Sequence, residues 1–143
     1  MKFTNVIDEN REEEVIVYSH HKSPLAEKIE SIVSEYSIEF IGYSDEQIIR
    51  FEITDVFCFT VEDNKIYALT QKGKLNVKLR LYRLEEKLPE NFIKINQSCI
   101  ANIKNIEKFD TSVSGTLMVI FKNGYKEYVS RRNIKSVKER LGF

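Results

Sequence analysis

The first forty residues carry a short apolar run followed by an apolar stripe with helical spacing. Residues 15–18, Val-Ile-Val-Tyr, are β-branched or aromatic and predict a short buried strand. Ser23-Pro24 is a typical N-cap and first-turn pair. Apolar residues recur every three or four positions after it, which predicts an amphipathic helix over residues 24–36. With a short strand near residues 38–42, residues 1–42 are predicted to form a small βα(β) appendage.

From residue 46 the pattern changes to short apolar runs separated by polar turns. Such runs, rich in Val, Ile, Phe and Tyr, are typical of strands that bury one or both faces of a sheet. They predict nine strands, at residues 48–53, 56–61, 65–70, 75–79, 92–95, 99–101, 103–109, 117–121 and 125–129.

The polar turns have their own signatures. Residues 62–65, Glu-Asp-Asn-Lys, predict a tight turn, and residues 72–74 predict another. Asn123-Gly124 predicts a hairpin with a type I′ turn, which needs φ > 0 at both central residues.

Two short helices are predicted within this β-rich region. Leucines at positions 81, 84 and 88 lie on one helical face, and Pro89 ends that helix. Ser130 is expected to cap a last helix, which carries Ile134, Val137 and Leu141 on one face. The predicted fold class is therefore mostly β with short helices (α+β), with residues 43–143 as the main domain after the appendage.

Composition and motifs give little support for an enzyme. His20 and His21 are adjacent but have no further ligand at metal spacing, and neither a P-loop nor a nucleophile elbow occurs. Cys58 and Cys99 lie in apolar runs and are predicted to be buried free thiols, as expected in a reducing compartment. We therefore expect no cofactor and no metal.

No run approaches the ~18 apolar residues of a membrane span, and the N-terminus has no apolar signal segment. A cytoplasmic protein without membrane insertion is the expectation.

Charge divides the chain into two oppositely charged regions. Residues 1–63 carry 5 Lys/Arg and 15 Asp/Glu, a net charge of −10, whereas residues 64–143 carry 17 Lys/Arg and 7 Asp/Glu, a net charge of +10. The C-terminal region alone would attract a polyanion, because phosphate contacts supply most of the non-specific affinity for DNA. The alternative is that the two oppositely charged regions face each other.

Three polar, partly basic segments interrupt the apolar runs. They are Asp63-Asn64-Lys65, the group Lys94, Asn96, Gln97 and Ser98, and the segment Ser130-Arg131-Arg132-Asn133 that opens the last helix. A helix N-terminus suits a phosphate, arginine suits a phosphate or the O6/N7 edge of guanine, and Asn or Gln suits adenine. Each segment is also compatible with an ordinary surface turn.

The ordered set of these features resembles one family. Residues 92–102, Phe-Ile-Lys-Ile-Asn-Gln-Ser-Cys-Ile-Ala-Asn, are similar to the pattern of LytTR DNA-binding domains, with an aromatic, a basic residue, a polar turn, Ser, apolar residues and Asn in that order. The turns at Ser114-Gly115 and Asn123-Gly124, then Val129-Ser130-Arg131-Arg132 and a closing helix, follow in the same order.

This resemblance implies an elongated, antiparallel β fold whose loops, rather than a recognition helix, enter successive major grooves of double-stranded DNA. Carried over by position, base contacts fall on Asn64 or Lys65 in the hairpin, on Gln97 with Asn96 beside it, and on Arg132. Phosphate contacts fall on a second set, Lys94, Ser98, Ser130, Arg131 and Asn133.

The resemblance is to stand-alone regulators of Gram-positive bacteria, because only about 40 residues precede the domain and leave no room for a receiver. A sequence-specific transcription regulator that binds as a homodimer is the leading hypothesis. The appendage is open to dimerisation or to an unidentified regulatory partner. A protein-interaction module that uses the acidic and basic faces is the alternative, and RNA binding is disfavoured because no aromatic RNA-recognition motif occurs.

Overall fold

Ten strands form two antiparallel sheets within residues 2–11, 14–36 and 39–143, the portion of the chain that the computed structural model describes. The strands are β1 (Glu39–Ser44), β2 (Gln47–Glu52), β3 (Val56–Glu62), β4 (Lys65–Thr70), β5 (Gly73–Val77), β6 (Phe92–Asn96), β7 (Cys99–Asn102), β8 (Ile106–Asp110), β9 (Leu117–Phe121) and β10 (Lys126–Val129). The helices are α1 (Pro24–Tyr36), α2 (Leu81–Lys87) and α3 (Arg131–Leu141).

The first seven strands form one sheet in the order β2-β1-β5-β4-β3-β7-β6, and the last three form a second sheet in the order β10-β9-β8. One face of the large sheet packs against α2, whose Leu84 is fully buried there. The other face packs against the small sheet and α3, through Val119, Phe121 and Val137. The protein therefore has two hydrophobic cores on opposite faces of one sheet.

Strand β3 contributes to both cores. Val56 and Phe59 belong to the core under α2, whereas Phe57 and Cys58 belong to the core under α3. A strand that is buried on both faces favours a nearly continuous apolar run, and residues 56–61 show one in which only Thr60 is polar.

The strand predictions from residue 46 onwards are confirmed with shifted ends. β5 runs over Gly73–Val77 rather than 75–79. The predicted strand 103–109 begins with a 3-10 turn at Ile103–Asn105, and β8 follows it. The hairpin at Asn123-Gly124 is confirmed, but only Gly124 has positive φ, so its turn is not type I′. A hydrogen bond from Gly124 N to Phe121 O closes this turn instead.

Before β1, the predicted helix is confirmed and the predicted strand at residues 15–18 is wrong. Helix α1 spans the predicted residues, and Ser23 Oγ accepts a hydrogen bond from Ala26 N at 3.1 Å, as expected of an N-cap. Residues 15–18 form neither a strand nor a buried segment, because no strand among the described residues lies beside them. Ile38, where another strand was expected to begin, lies outside the described residues.

The predicted boundary between the appendage and the main domain falls within β1. This strand pairs along its whole length with β2 and also contacts β5, where Tyr43 lies opposite Asn76.

Gly42 permits the close approach of β1 to β5. A Cβ atom at this position would lie 2.6 Å from Leu75 Cβ and 3.1 Å from Phe51 Cε1, in the core under α2. Leu75 Cβ is attached directly to the backbone, so relief of the overlap requires movement of a strand.

We expect Gly42→Ala to lower the free energy of unfolding by about 1–3 kcal/mol, the usual cost of overpacking a core. Urea denaturation measures the change. Val113→Ala, at an exposed loop position, is the control and should shift stability by less than about 0.5 kcal/mol. An unchanged midpoint for Gly42→Ala would mean that β1 is not held against β5.

Candidate nucleic-acid interface

Two of the three polar segments lie at the same end of the large sheet. The β3–β4 turn at residues 63–64 and the β6–β7 turn at residues 97–98 are neighbours because β3 pairs with β7. A hydrogen bond of 2.8 Å from Val61 N to Ser98 O links them directly.

The third segment, the start of α3, is attached to the same end. Ser130 N donates a hydrogen bond to Ile95 O at 2.9 Å, and Asn96 Nδ2 donates to Tyr128 O at 2.8 Å. These two bonds join the end of β6 to the chain just before α3. The structure therefore brings all three segments into one row, in the order β3–β4 turn, β6–β7 turn and α3 N-terminus.

The β3–β4 turn has the two-residue geometry of a type I′ hairpin. Asp63 and Asn64 both have positive φ, 50° and 61°, and Glu62 pairs directly with Lys65. The twist of such a turn matches that of the flanking strands, so the two strands stay paired up to Glu62 and Lys65 at the tip. The side chains of Asn64 and Lys65 are exposed there.

The β6–β7 turn carries two neighbouring amide side chains, one buried and one exposed. Asn96 is 1% exposed, and both ends of its amide are occupied, since Oδ1 accepts from Ser98 N at 2.8 Å and Nδ2 donates to Tyr128 O. This geometry leaves Asn96 no free edge for a base, contrary to the expectation from sequence. Gln97, by contrast, is exposed at the tip of the turn.

The first turn of α3 presents two arginines. Ser130 is the N-cap residue by position, but its Oγ accepts a hydrogen bond from Asn133 Nδ2 at 2.9 Å and does not cap a backbone N–H. Arg131 and Arg132 follow it with exposed side chains, and neither has an ion-pair partner among the described residues. Their guanidinium groups therefore remain available to a ligand beside the positive end of the helix dipole.

Lys94 lies away from this row. It pairs across the strands with Ile100, which belongs to the core under α2, and it borders a shallow groove with Glu85 and Leu88. Its side chain is therefore on the face of the sheet opposite to α3, although Lys94 is only two residues from Asn96.

Charge is graded along the row. Glu62 and Asp63 lie at the β3–β4 turn, where Glu62 forms an ion pair of 2.8 Å with Lys74. Arg131 and Arg132 lie at the opposite end without acidic partners in the described portion of the chain. A polyanion would thus be attracted most strongly at the α3 end.

Beyond the β3–β4 turn the row continues into an open groove of about 550 Å³ that the sequence did not predict. Lys65, Tyr67 and Asn76 line it, and Lys78 Nζ lies 4.1 Å from the centroid of the Tyr43 ring. The alternation of exposed and buried positions along β1, β4 and β5 is the signal that could have located these side chains on one face.

The two cysteines are structural. Both are buried, and a hydrogen bond with Cys58, followed by burial, raises the pKa of Cys99 far above its usual range. The Cys99 thiol therefore stays protonated, which does not suit a nucleophile or a metal ligand. No cluster of three or more His, Cys, Asp or Glu that could hold a metal occurs within the described residues.

Comparison with known proteins adds family evidence to this geometry. Residues 46–142 match the family profile described as the LytTr DNA-binding domain. A transcriptional regulator of Staphylococcus aureus strain NCTC 8325, described as HTH-type, is 35% identical over 146 residues, which cover 99% of this chain and 98% of that protein. A regulator of the same description from the bovine strain RF122 is 36% identical over the same coverage.

A solved LytTr DNA-binding domain from Bacillus cereus shares the fold, with a TM-score of 0.69 and 23% identity over 73% of this chain and 97% of that one. The HTH-type description of the S. aureus relatives does not fit the elements seen here, because β-strands separate each described helix from the next.

None of the described helices is long and apolar enough to cross a membrane.

We expect the two neighbouring amides of the β6–β7 turn to differ in their effect on stability. Asn96→Ala removes two buried hydrogen bonds and should lower the free energy of unfolding by roughly 2 kcal/mol. Gln97→Ala removes an exposed side chain and should change it by less than about 0.5 kcal/mol. Urea denaturation of both variants measures the difference, and equal losses would contradict the division of roles.

Proposed function

Because the chain belongs to the LytTR DNA-binding domain family, we propose that it binds double-stranded DNA in a sequence-specific manner and regulates transcription. The observation that carries the proposal is the row of three exposed segments at one end of the large sheet. Strand pairing and backbone hydrogen bonds set the spacing of these segments, and two arginines without acidic partners among the described residues lie at one end of the row.

Three positions in the row are suited to reading bases. Arg132 has the bidentate geometry that matches guanine O6 and N7, and Gln97 has the amide that matches adenine N6 and N7. At the β3–β4 turn, Asn64 offers an amide and Lys65 a single positive charge. This tip would therefore contact a different base pair from those contacted by Gln97 and Arg132. We propose that these loops enter successive major grooves of the duplex.

Other groups in the row are suited to the phosphate backbone. Arg131, in the first turn of α3, combines a guanidinium group with the free N–H groups of the helix N-terminus. The hydroxyl of Ser130 and the amide of Asn133 lie at the same end of α3 and bond to each other, and the exposed Ser98 lies in the β6–β7 turn. Phosphate contacts of this kind fix the register of a protein on DNA without carrying sequence information.

A regulator of this kind gains specificity when two copies bind repeated half-sites. We propose that the protein acts as a homodimer on such repeats, in the cytoplasm where chromosomal DNA is accessible. Its activity would then be open to control by a regulatory partner at the segment before β1.

Selection of bound sequences from a random duplex-DNA pool, at physiological salt, tests the function itself. The proposal predicts an enriched motif, repeated about one helical turn apart. Retention of every sequence alike, abolished by moderate salt, would instead support the protein-interaction alternative.

The two arginines should behave differently on the selected site. Arg132→Ala should cost about 1–3 kcal/mol of binding free energy and relax the preference at one base pair. Arg131→Ala should weaken all sequences alike and reduce the slope of log K against log salt by about 1. Fluorescence anisotropy with the selected duplex and single-base variants of it distinguishes the two.

Lys87→Ala is the matched control, because it removes one positive charge from an exposed position of α2, away from the row. Since Lys94 lies on the α2 face, we also expect Lys94→Ala to affect affinity less than Arg131→Ala. Unchanged binding for Arg132→Ala would show that base reading lies elsewhere.

A further inference from the structure

The open groove beyond the β3–β4 turn is continuous with the row of three polar segments. Asn64 and Lys65 belong to both, because they lie at the turn and also line the groove. This flank groove is lined further by side chains of β1, β4 and β5 and of the residues after β5, among them Tyr43, Tyr67, Asn76 and Lys78. A ligand that contacts the β3–β4 turn can therefore extend into the groove without leaving the protein surface.

Three polar side chains lie side by side across β4, β5 and β1 in the flank groove. Tyr67 is opposite Asn76, and Asn76 is opposite Tyr43, so all three project from one face of the large sheet. Their neighbours Ile66 and Leu75 belong to the core under α2, which places the groove on the other face. The three side chains are half-buried and offer two hydroxyls and one amide as hydrogen-bond donors.

Two lysines give the flank groove a positive charge. Lys65 and Lys78 are exposed, and neither forms an ion pair within the described residues. Lys78 Nζ lies 4.1 Å from the centroid of the Tyr43 ring, an attractive arrangement that holds the ammonium group beside the groove. Asp45 is the acidic residue of the described lining, so two positive charges stand against one negative charge. The flank groove therefore attracts an anion.

The position of the flank groove suits the backbone of a duplex. A loop tip that enters a major groove lies between two sugar-phosphate strands, and the major groove is about 12 Å wide. Strand β1 lies two strand spacings from β4, which is roughly 10 Å. A sugar-phosphate strand would thus pass over the flank groove when the β3–β4 turn enters the duplex. The groove is open rather than enclosed, which suits a continuous chain better than a small ligand, because small-ligand sites bury most of their ligand.

We propose that the flank groove binds the sugar-phosphate backbone of double-stranded DNA, about three base pairs outside the base pair that the β3–β4 turn contacts. A distance of roughly 10 Å corresponds to about three phosphates along one strand. Lys65 and Lys78 supply positive charge to these phosphates, and Asn76 supplies an N–H donor. The inference rests on the proposed function, to which it adds a phosphate site outside the three segments of the row.

Shortening the DNA tests where the contact lies. A duplex with one copy of the selected motif is shortened from either end, and the affinity of the full chain is measured by fluorescence anisotropy. We expect a roughly threefold to tenfold loss when about three base pairs outside the motif are removed at one end. Replacing those base pairs by a different sequence should leave the affinity unchanged, because phosphate contacts carry no sequence information.

Lys78→Ala tests which residue makes the contact. Lys78 is exposed and lies outside both cores, so the substitution should leave the fold intact. We expect the variant to bind the long duplex roughly threefold to tenfold more weakly, and we expect shortening to cost it less than it costs the wild type. Lys87→Ala, which removes the same charge from an exposed position of α2, is the matched control and should respond to shortening as the wild type does.

Asp45→Asn should act in the opposite direction. Asp45 has a φ of 50°, a left-handed conformation that Asn adopts as readily as Asp, so the substitution removes a negative charge without straining the β1–β2 turn. We expect about threefold tighter binding to the long duplex, because repulsion of phosphate is removed, and no gain on the shortened duplex.

Three results would overturn the proposal. They are a wild-type affinity that does not depend on duplex length outside the motif, an equal loss on shortening for Lys78→Ala and the wild type, and an Asp45→Asn variant that binds the long duplex no more tightly.

The salt dependence of binding separates this proposal from the proposed function. On a duplex of unselected sequence, Lys78→Ala should reduce the slope of log K against log salt by about 1. That reduction without any selected motif would count against the proposed function alone. A selected motif that Lys78→Ala binds as the wild type does, at both duplex lengths, would count against the flank groove alone.

Discussion

Burial of β3 on both faces is the constraint on which the rest of the structure depends. Its side chains are divided between the core under α2, which takes Val56 and Phe59, and the core under α3, which takes Phe57 and Cys58, so one strand holds two layers to a common sheet. It also pairs with β4 on one side and β7 on the other. Because both pairings are antiparallel, the turns that follow β3 and precede β7 emerge at the same end. The position of the candidate interface is therefore a consequence of how the core is built.

Within the candidate interface, some side chains hold the loops in place and others are exposed to a ligand. Asn96 is buried and uses both ends of its amide to bind the turn and the chain before α3, whereas the adjacent Gln97 is exposed. The same division is seen in the first turn of α3, where Ser130 and Asn133 bind each other and the arginines between them are exposed. Fixed loops of this kind lose little conformational entropy on binding, which is what a set of base-reading side chains requires.

The segment before β1 differs from the rest of the chain because many of its large apolar side chains are exposed. Its apolar residues occur at spacings that indicate a strand and an amphipathic helix, but among the described residues of one chain they meet no surface large enough to bury them. The run at residues 15–18 shows why its strand was predicted wrongly. β-Propensity describes the fit to a neighbouring strand, and the described residues provide none at that position.

The sequence by itself determined the elements and the residue types of the candidate site. Short apolar runs separated by polar turns located the strands from residue 46 onwards, Ser23-Pro24 located the start of α1, and the ordered motifs around residues 92–102 and 129–132 indicated the family. These features are local, so neighbouring residues along the chain are enough to specify them. The tertiary structure decided which segments lie at the same end of the large sheet. It also decided that Asn96 is buried while Gln97 is exposed, and that Lys94 lies on the face of the sheet that packs against α2. Those properties depend on pairing between strands far apart in sequence, and a shift of one residue in that pairing reverses which face a side chain occupies.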